Sequence, residues 1–302
     1  MHCWEAKALN FSWRGALRTG RVWSMAGDYL ERYREEGYAI VRGVFGPEEV
    51  AELATAFDRV YAQGLSHRAS YRHQNVFFRL AEDPRIGRTV RLVQWPSYFD
   101  ETLDRIRLDR RLLGLLAPLI GADLKQIINQ LHWKPPGSSG EFGYHQDIRF
   151  RRPRTAFRDL PNSYVQTAIA VDRQGPENGC MRVIPGSHRL GELALGGSGA
   201  ILDQRAVDEE LQRVGIDPAN LVDLSMQPGD VALWHLHMVH GSGPNRSSGD
   251  RRLYINGYVM AQNADRGAWA FRGGKPCPLG DPVLIHYEDL YYRPEPHYVD
   301  SR

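Results

Sequence analysis

The feature that most limits the fold of this chain is a series of short β-forming runs that begins near Leu124. The runs KQIINQLHWK, SYVQTAIAVD, CMRVIPGSH, DVALWHLHMVH and RRLYINGYVM are separated by turn-rich stretches such as PPGSSGEFG, RQGPENG and GSGPNRSSGD. β-Branched and aromatic residues favour strands, while Gly, Pro and Asn favour tight turns. Many short strands at this spacing are typical of a closed barrel or a double-sheet jelly roll. The sequence therefore predicts a mainly β, double-stranded β-helix core.

The part of the chain before this series has helical patterns. Asp28 to Glu36 reads as a helix, GYAIVRGVF as a short strand, and GPEEVAELATAFDRVYAQG as a helix that starts at Pro47 and stops at Gly64. Residues 101–120 are again helical, whereas residues 66–100 show no clear period. We therefore expect helices that flank the β core from the N-terminal half.

Residues 1–25 lack this periodicity and end at a methionine, just before the first helical pattern. We expect them to be a loose N-terminal extension or the result of an upstream start codon. No internal repeat or linker interrupts the remainder. Residues 26–302 are therefore expected to form one jelly-roll domain.

Composition narrows the setting of the protein. The 302 residues carry a net charge of +2, so no strong field for binding nucleic acid is expected. No apolar run reaches transmembrane length, and no continuous apolar segment near the N-terminus indicates a signal peptide. The three cysteines include no CxxC pair, which favours a reducing compartment. We expect a cytoplasmic protein that binds a small molecule, with its oligomeric state left open.

The segment GYHQDIRF places His145 and Asp147 two residues apart. In a strand such residues project to the same face, about 6–7 Å apart at their roots. Two ligand-type side chains on one face can converge on one metal ion. An isolated HxD motif is nevertheless more often a surface pair than a metal site, so a third ligand decides its meaning.

The third ligand is sought in WHLHMVHGSG, which holds three histidines. Strand alternation puts His235 and His237 on one face and His240 on the other, with apolar neighbours. His240 also precedes a turn where the mouth of a pocket is expected, so we choose it. Two histidines and one carboxylate form a facial triad, the pattern of non-heme Fe(II) oxygenases.

An anchor for an anionic cosubstrate lies further along the chain. Arg251 and Arg252 open the strand RRLYINGYV, and an arginine fork binds a carboxylate in bidentate fashion. Arg251 shares its face with Leu253 and Ile255, so we expect it to point into the barrel. The choice between the two arginines stays open at this stage.

These residues resemble a known family. GYHQD, QGPENGCMRVIPGSHR and PGDVALWHLHMVHGSGPNRS are similar to segments of the phytanoyl-CoA dioxygenase family, and so is the opening EEGYAIVRGVFGPEEVAEL. The likeness covers residues 29–260 in order. It implies a cupin-like jelly roll and an enzyme that uses Fe(II), 2-oxoglutarate and O2.

The resemblance assigns roles residue by residue. It implies that His145, Asp147 and His240 are the iron ligands and that Arg251 holds the distal carboxylate of 2-oxoglutarate. It further implies that Ser242 assists that arginine. Lys134 falls where relatives contact the cosubstrate, although a solvent-exposed lysine is an equal alternative.

Three more features carry alternatives. Gln130 lies on the face of Lys134, where relatives reach the prime substrate, although a hydrogen bond within the barrel wall is an alternative. Asp147 favours hydroxylation, because halogenases of this superfamily lack the carboxylate. The arginines of IRFRRPRTAFR form either a solvated loop or a basic lip over the site.

The expected activity is oxidation, most simply hydroxylation, of an unactivated C–H bond of a small molecule, with release of succinate and CO2. Secondary metabolism is one expected setting, and the prime substrate stays unidentified. The alternatives are a zinc hydrolase and a non-catalytic ligand-binding barrel on the same His/Asp/His set. Both leave Arg251 without a role. A serine hydrolase is disfavoured because no GxSxG motif is present.

Overall fold

The computed structural model describes residues 28–195, 204–280 and 296–299. The predicted N-terminal extension, residues 1–25, lies outside the described residues. The helices are α1 Asp28–Glu36, α2 Pro47–Ser66, α3 Glu101–Arg107, α4 Arg110–Ile120, α5 Leu160–Ser163 and α6 Asp208–Arg213. The strands are β1 Tyr38–Val41, β2 Tyr71–His73, β3 Val76–Asp83, β4 Gly87–Gln94, β5 Leu124–Lys134, β6 Phe142–His145, β7 Tyr164–Ala170, β8 Arg182–Val183, β9 Val222–Asp223, β10 Val231–His235, β11 His240–Ser242, β12 Arg251–Met260, β13 Ala268–Arg272, β14 Lys275–Pro276 and β15 His297–Tyr298.

The strands of the described ranges form two antiparallel sheets. The larger sheet has the order β1-β10-β7-β12-β5-β4-β3-β2-β15, with β13 beside the start of β5 and β14 beside β13. The smaller sheet has the order β6-β11-β8-β9. Residues of both sheets line one cavity, so the two sheets face each other across it. The predicted mainly β fold is confirmed.

Strand β12 shows how the two sides of the large sheet are used. Leu253 and Ile255 pack between the sheets, whereas Tyr254 and Tyr258 pack on the opposite side among residues of α2 to α4. The hydroxyl of Tyr254 donates to the carbonyl of Leu103 at 2.8 Å, which ties the strand to α3. This alternation follows from the two-residue period of a strand and fixes which side chains can reach the cavity.

The helical stretch predicted over residues 101–120 is two helices. Asp100 accepts a hydrogen bond from the backbone N–H of Leu103 at 3.1 Å and caps α3. Asp109 accepts one from the backbone N–H of Arg111 at 2.8 Å and caps α4. Asp109 also ends α3, because a residue that caps the start of a helix takes an extended backbone and cannot continue the preceding helix. None of the helices in the described ranges has the length and apolar character needed to cross a bilayer.

Residues 66–100, for which the sequence showed no period, contain the three strands β2, β3 and β4. Their alternation is obscured for two reasons. The β3–β4 register shifts at a bulge between Arg79 and Leu80. In addition, Arg72, Arg79 and Gln94 line the cavity, where a pattern search expects apolar residues. The three strands were therefore not predicted from the sequence, because polar residues that line the cavity obscure the alternation.

The turn Glu177-Asn178-Gly179 packs against the backbone of Gly243, the residue that follows β11. Gly179 has a φ of +68°, and a Cβ there would lie 2.3 Å from the carbonyl oxygen of Gly243. We therefore expect Gly179→Ala to lower the free energy of unfolding by about 2–4 kcal/mol, since backbone strain and a backbone clash add.

Gly215 provides the matched control, because its φ is +77° and nothing lies within 4 Å of its Cβ position. Gly215→Ala should cost only the strain of the left-handed backbone, about 1–2 kcal/mol. Urea denaturation of both variants measures the difference. Equal losses would contradict the close packing of the two turns.

Candidate metal centre

Three buried side chains meet where the ends of β6 and β11 lie side by side. His145 is the last residue of β6 and pairs directly with His240, the first residue of β11. Asp147 follows His145 after one extended residue, Gln146, which has φ −116° and ψ 139°. Potential ligand atoms of the three residues all lie within 4.8 Å of one another, and all three residues are buried. The arrangement is small enough for one metal ion.

Local hydrogen bonds set the orientation of both histidines. Nδ1 of His145 lies 2.7 Å from the carbonyl oxygen of Gly143, and Nδ1 of His240 lies 2.9 Å from that of Met238. A carbonyl oxygen only accepts, so each Nδ1 carries the proton and each Nε2 keeps its lone pair. This tautomer is the one that a metal-binding imidazole needs.

The carboxylate of Asp147 is held on both oxygens. Nε1 of Trp234 donates to Oδ2 at 2.9 Å, and the guanidinium of Arg151 lies 3.5 Å from Oδ1. Burial alone would raise the pKa of Asp147. The nearby His240, Arg151 and His145 outweigh burial and hold the pKa of the carboxyl below its usual value.

The protonation states suit a divalent cation. Burial, reinforced by the neighbouring His240, lowers the pKa of His145 to about 3. His145 is therefore neutral and Asp147 is ionised near neutral pH. Metal binding requires these forms, since a proton on either ligand competes with the ion. The donor set fits Fe(II), which accepts imidazole nitrogen and carboxylate oxygen.

Two buried cations, Arg251 and Lys134, lie next to each other beside the cavity; Arg251 lines the cavity, and Lys134 is not among its lining residues. Arg251 pairs in register with Lys134 across β12 and β5. Nζ of Lys134 donates to Oγ of Ser242 at 2.7 Å and also contacts the carbonyl oxygen of Gly243. Nε of Arg251 is buried and makes no hydrogen bond within the described part of the chain.

Two adjacent buried cations are costly unless an anion joins them. Burial lowers the pKa of Arg251 to about 10, and burial together with the charge of Arg251 lowers the pKa of Lys134 well below its usual value. A carboxylate between the two would reverse both effects. The site therefore fits one end of a dianion such as 2-oxoglutarate.

Arg252 points to the other side of the sheet. Its Nε and Nη2 each donate to Asp172 at 2.9 Å, and its Nη1 lies 3.1 Å from Asp58. Only Arg251 of the pair lines the cavity. Of these two neighbouring residues, Arg252 forms structural ion pairs and Arg251 is the cation that lines the cavity.

The triad and Arg251 open into a single cavity of about 370 Å³. That size is typical of a small-molecule site. Gln130 and Ser242 also line it. The Oε1 of Gln130 accepts from Nε2 of His132 at 3.0 Å, so part of its hydrogen-bonding capacity serves the wall itself. The apolar part of the wall includes Leu92, Ile128, Phe150, Met181, Leu253 and Ile255.

The path of the chain to His240 differs from the prediction. Strand β10 ends at His235, and residues 236–239 carry the chain from the large sheet to the small one. Continuous alternation through WHLHMVH is therefore wrong, although His240 does join the cluster. His235 and His237 lie elsewhere, and the ring of His235 stands 5.2 Å from that of His188.

Two residues that the sequence did not single out for the site contact Asp147. Trp234, the last residue but one of β10, donates to Asp147. Arg151 lies within the arginine-rich stretch but turns inward, is 1% exposed, and donates to the hydroxyl of Tyr164 at 2.7 Å. Arg158 of the same stretch pairs with Asp265 at 2.8 Å instead. The basic lip is therefore not a single surface over the site.

Fold and site together define a class of protein. The chain has a mainly β fold of two facing antiparallel sheets. This fold holds a buried His/Asp/His cluster beside the buried cations Arg251 and Lys134. That is the arrangement of a non-heme Fe(II)- and 2-oxoglutarate-dependent dioxygenase. Comparison with solved structures agrees on the fold. The chain superposes on "non-heme monooxygenase; ThoJ apo" with a TM-score of 0.61 at 22% identity, covering 88% of this chain and 92% of that one.

A second solved structure is the epimerase SnoN in complex with Fe3+, alpha ketoglutarate and nogalamycin RO. It matches with a TM-score of 0.55 at 23% identity, over 85% of this chain and 94% of that one. The predicted jelly roll is confirmed by this likeness.

Comparison with characterised sequences identifies the family. The model of the phytanoyl-CoA dioxygenase family matches residues 33–253. The "Methylphosphonate hydroxylase" of Gimesia maris is 31% identical over 240 residues, which are 79% of this chain and 83% of that protein. The "Probable alpha-ketoglutarate-dependent hypophosphite dioxygenase" of Stutzerimonas stutzeri is 24% identical, with 82% of each chain covered.

The chain belongs to the phytanoyl-CoA dioxygenase family and is an Fe(II)- and 2-oxoglutarate-dependent dioxygenase that acts on a small molecule. The prediction made from GYHQD, ENGC and HGSGPN is confirmed at this level.

Proposed function

We propose that His145, Asp147 and His240 ligate Fe(II) and that Arg251, Ser242 and Lys134 hold 2-oxoglutarate in this enzyme. The observation that carries the proposal is that the buried cluster and the buried Arg251 open into one cavity. A zinc hydrolase or a non-catalytic barrel would leave the paired cations Arg251 and Lys134 without a purpose.

We further propose that the reaction is hydroxylation of a C–H bond of the prime substrate. Bound iron supplies O2 activation coupled to decarboxylation of 2-oxoglutarate, so that substrate, 2-oxoglutarate and O2 give hydroxylated product, succinate and CO2. The protein contributes position and protection from water. Trp234 and Arg151 keep Asp147 ionised and oriented, while Arg251 sets the direction in which the cosubstrate lies.

We propose an orientation of the substrate from the residues that line the cavity. Leu253 and Ile255 present apolar surface close to Arg251 on the same strand face, and Gln130 offers a polar contact beside them. Such a wall orients a small molecule with a short apolar part.

We propose that the enzyme works in the cytoplasm, without nucleic acid or membrane partners. The named substrates of the two relatives, methylphosphonate and hypophosphite, are the first compounds to test for succinate release.

Anaerobic addition of Fe(II) and then 2-oxoglutarate should produce a weak visible charge-transfer band. The band requires the metal and the cosubstrate to be bound together, so it tests both halves of the site without a known substrate. Zn(II) in place of Fe(II) is the control and should stay colourless. A protein that takes up no iron and develops no band under these conditions would refute the assignment.

A further inference from the structure

Two glutamines stand side by side on the wall of the cavity. Gln94 of β4 pairs in register with Gln130 of β5, and both residues line the cavity. Residues that are paired in this way have Cβ atoms about 4.5–5.5 Å apart. The amide groups of this pair, called the amide pair below, can therefore contact one small group of a bound molecule together.

The amide oxygen of each glutamine accepts a hydrogen bond from a neighbouring side chain. Nη2 of Arg72 donates to Oε1 of Gln94 at 3.3 Å, and Nε2 of His132 donates to Oε1 of Gln130 at 3.0 Å. A guanidinium has only donors, so the atom of Gln94 that faces it is the oxygen and not the nitrogen. Each amide is thus held with its oxygen toward a donor of the wall.

The ring of His132 is fixed in place and has one N–H to donate. It stacks on Phe142, with 4.9 Å between the ring centres and 8° between the ring planes. Burial, together with the charges of Arg251 and Lys134, lowers the pKa of His132 to about 3. The imidazole is therefore neutral near pH 7 and carries a single proton, which the facing oxygen of Gln130 places on Nε2.

The nitrogen of each amide is left for a bound molecule. Within the described ranges, neither NH2 group of Gln94 and Gln130 donates to an acceptor of the protein. A glutamine NH2 group has two donors, and both side chains line the cavity. Since the oxygens are turned toward donors of the wall, the amide pair presents mainly hydrogen-bond donors to the cavity.

The amide pair is separate from the end of the cavity that is assigned to 2-oxoglutarate. Gln130 precedes Lys134 by four residues on one face of β5, which is about 13 Å along an extended strand. His132 lies halfway between them, and Leu92 and Leu253 flank it in register on the two neighbouring strands. Both leucines line the cavity. A molecule bound by the amide pair would thus lie against apolar wall on its way toward the cosubstrate.

We propose that the amide pair binds an acceptor oxygen of the prime substrate, in a carbonyl or a carboxylate group, and that His132 holds Gln130 in the orientation that this binding requires. The inference rests on the proposed function, because it takes the other end of the cavity to hold iron and 2-oxoglutarate. His132 acts through Gln130 and is a positioning residue. A substrate that offers only N–H donors at this place meets other donors, so it is bound less tightly.

Calorimetry with the protein loaded with Ni(II) and 2-oxoglutarate tests the proposal, because loading fills the cosubstrate end and prevents turnover. The acceptor probes are 2-pentanone, which is neutral, and butyrate, which is an anion, while butylammonium carries only donors. Wild-type protein should bind at least one acceptor probe more tightly than butylammonium. Gln94→Met and Gln130→Met should each weaken binding of that probe by about ten-fold and leave the weak binding of butylammonium unchanged.

His132→Phe tests the positioning role. Phenylalanine can keep the stack on Phe142 but donates no hydrogen bond, so the amide of Gln130 can turn its oxygen toward the cavity. The ratio of the affinities for the acceptor probe and for butylammonium should fall by about three- to ten-fold. A purely structural defect would lower both affinities together and leave their ratio unchanged.

Gln63→Met is the matched control, since Gln63 is an exposed residue of α2 that does not line the cavity. It should bind all three probes as the wild type does. Melting temperatures of all variants exclude unfolding, and Gln94→Met carries the test if Gln130→Met does not fold. The proposal is overturned if wild-type protein prefers neither acceptor probe to butylammonium, or if either folded methionine variant of the amide pair keeps the preference. A His132→Phe protein with the wild-type ratio overturns the role of His132.

Failure of this inference and failure of the proposed function can be told apart. A protein that shows the Fe(II)–2-oxoglutarate band but no preference for an acceptor probe overturns this inference alone. A protein that never binds metal, yet prefers an acceptor probe and loses that preference in Gln130→Met, overturns the iron assignment and keeps the amide pair as a binding site.

Discussion

Asp147→Ala is expected to abolish iron-dependent turnover. The substitution removes one of the three clustered ligand atoms and the negative charge that offsets the metal. It also leaves the N–H of Trp234 and the guanidinium of Arg151 without their shared acceptor. Loss of an outer partner of a metal ligand already costs 10- to 100-fold in affinity or activity, so loss of the ligand should cost at least about 100-fold.

The measurement needs no prime substrate. Bound iron is determined after anaerobic loading, and succinate formed from 2-oxoglutarate in air reports uncoupled turnover. Asp172→Ala is the matched control, because it also removes a carboxylate held by an arginine, Arg252, but on the other side of the sheet. The control should lose stability and keep iron and turnover. Normal iron content and succinate formation in Asp147→Ala would contradict the ligand assignment.

Arg251→Met is expected to raise the 2-oxoglutarate concentration needed for half of the visible band by about 100-fold or more. Hydrogen bonds to charged groups contribute about 1.5–3 kcal/mol each, and a bidentate fork makes two. Since Arg251 is not in the ligand cluster, iron binding should persist. The change should therefore fall on the cosubstrate and spare the metal.

The next residue of the strand supplies the control for that experiment. Arg252→Met loses the ion pairs with Asp172 and Asp58 and should lower the melting temperature. It should leave the 2-oxoglutarate titration unchanged, because its side chain points away from the cavity. If the Arg252 variant shifted the titration and the Arg251 variant did not, the assignment of Arg251 as the residue that binds 2-oxoglutarate would be wrong.

Local patterns explain why much of the fold was predictable. The helix predicted over Asp28 to Glu36 is α1, and the run KQIINQLHWK is β5 apart from one added residue at its start. Both segments were recognised from patterns of residues that are contiguous in the chain. Residues 66–100 showed no clear period. Arg72, Arg79 and Gln94 line the cavity there, so polar residues stand where the apolar residues of an alternating strand pattern are expected.

The sequence also contained most of the candidate site. His145 and Asp147 adjoin each other in the chain, so an extended Gln146 between them is enough to bring them together. Strand alternation alone did not reach His240 correctly, because WHLHMVH is not one strand: the structure has two strands in different sheets there. The expectation of a solvent-exposed alternative for Lys134 is not met, since the residue is fully buried.

By itself the sequence determined the β core, the flanking helices, the family and the residue types of a metal site, because these depend on local periodicity and on motifs that are contiguous in the chain. Only the tertiary structure decided which side chains meet. Trp234 reaches Asp147 and Arg251 meets Lys134 through contacts between segments far apart in the sequence. Such contacts depend on sheet order and register, which no short stretch of residues encodes.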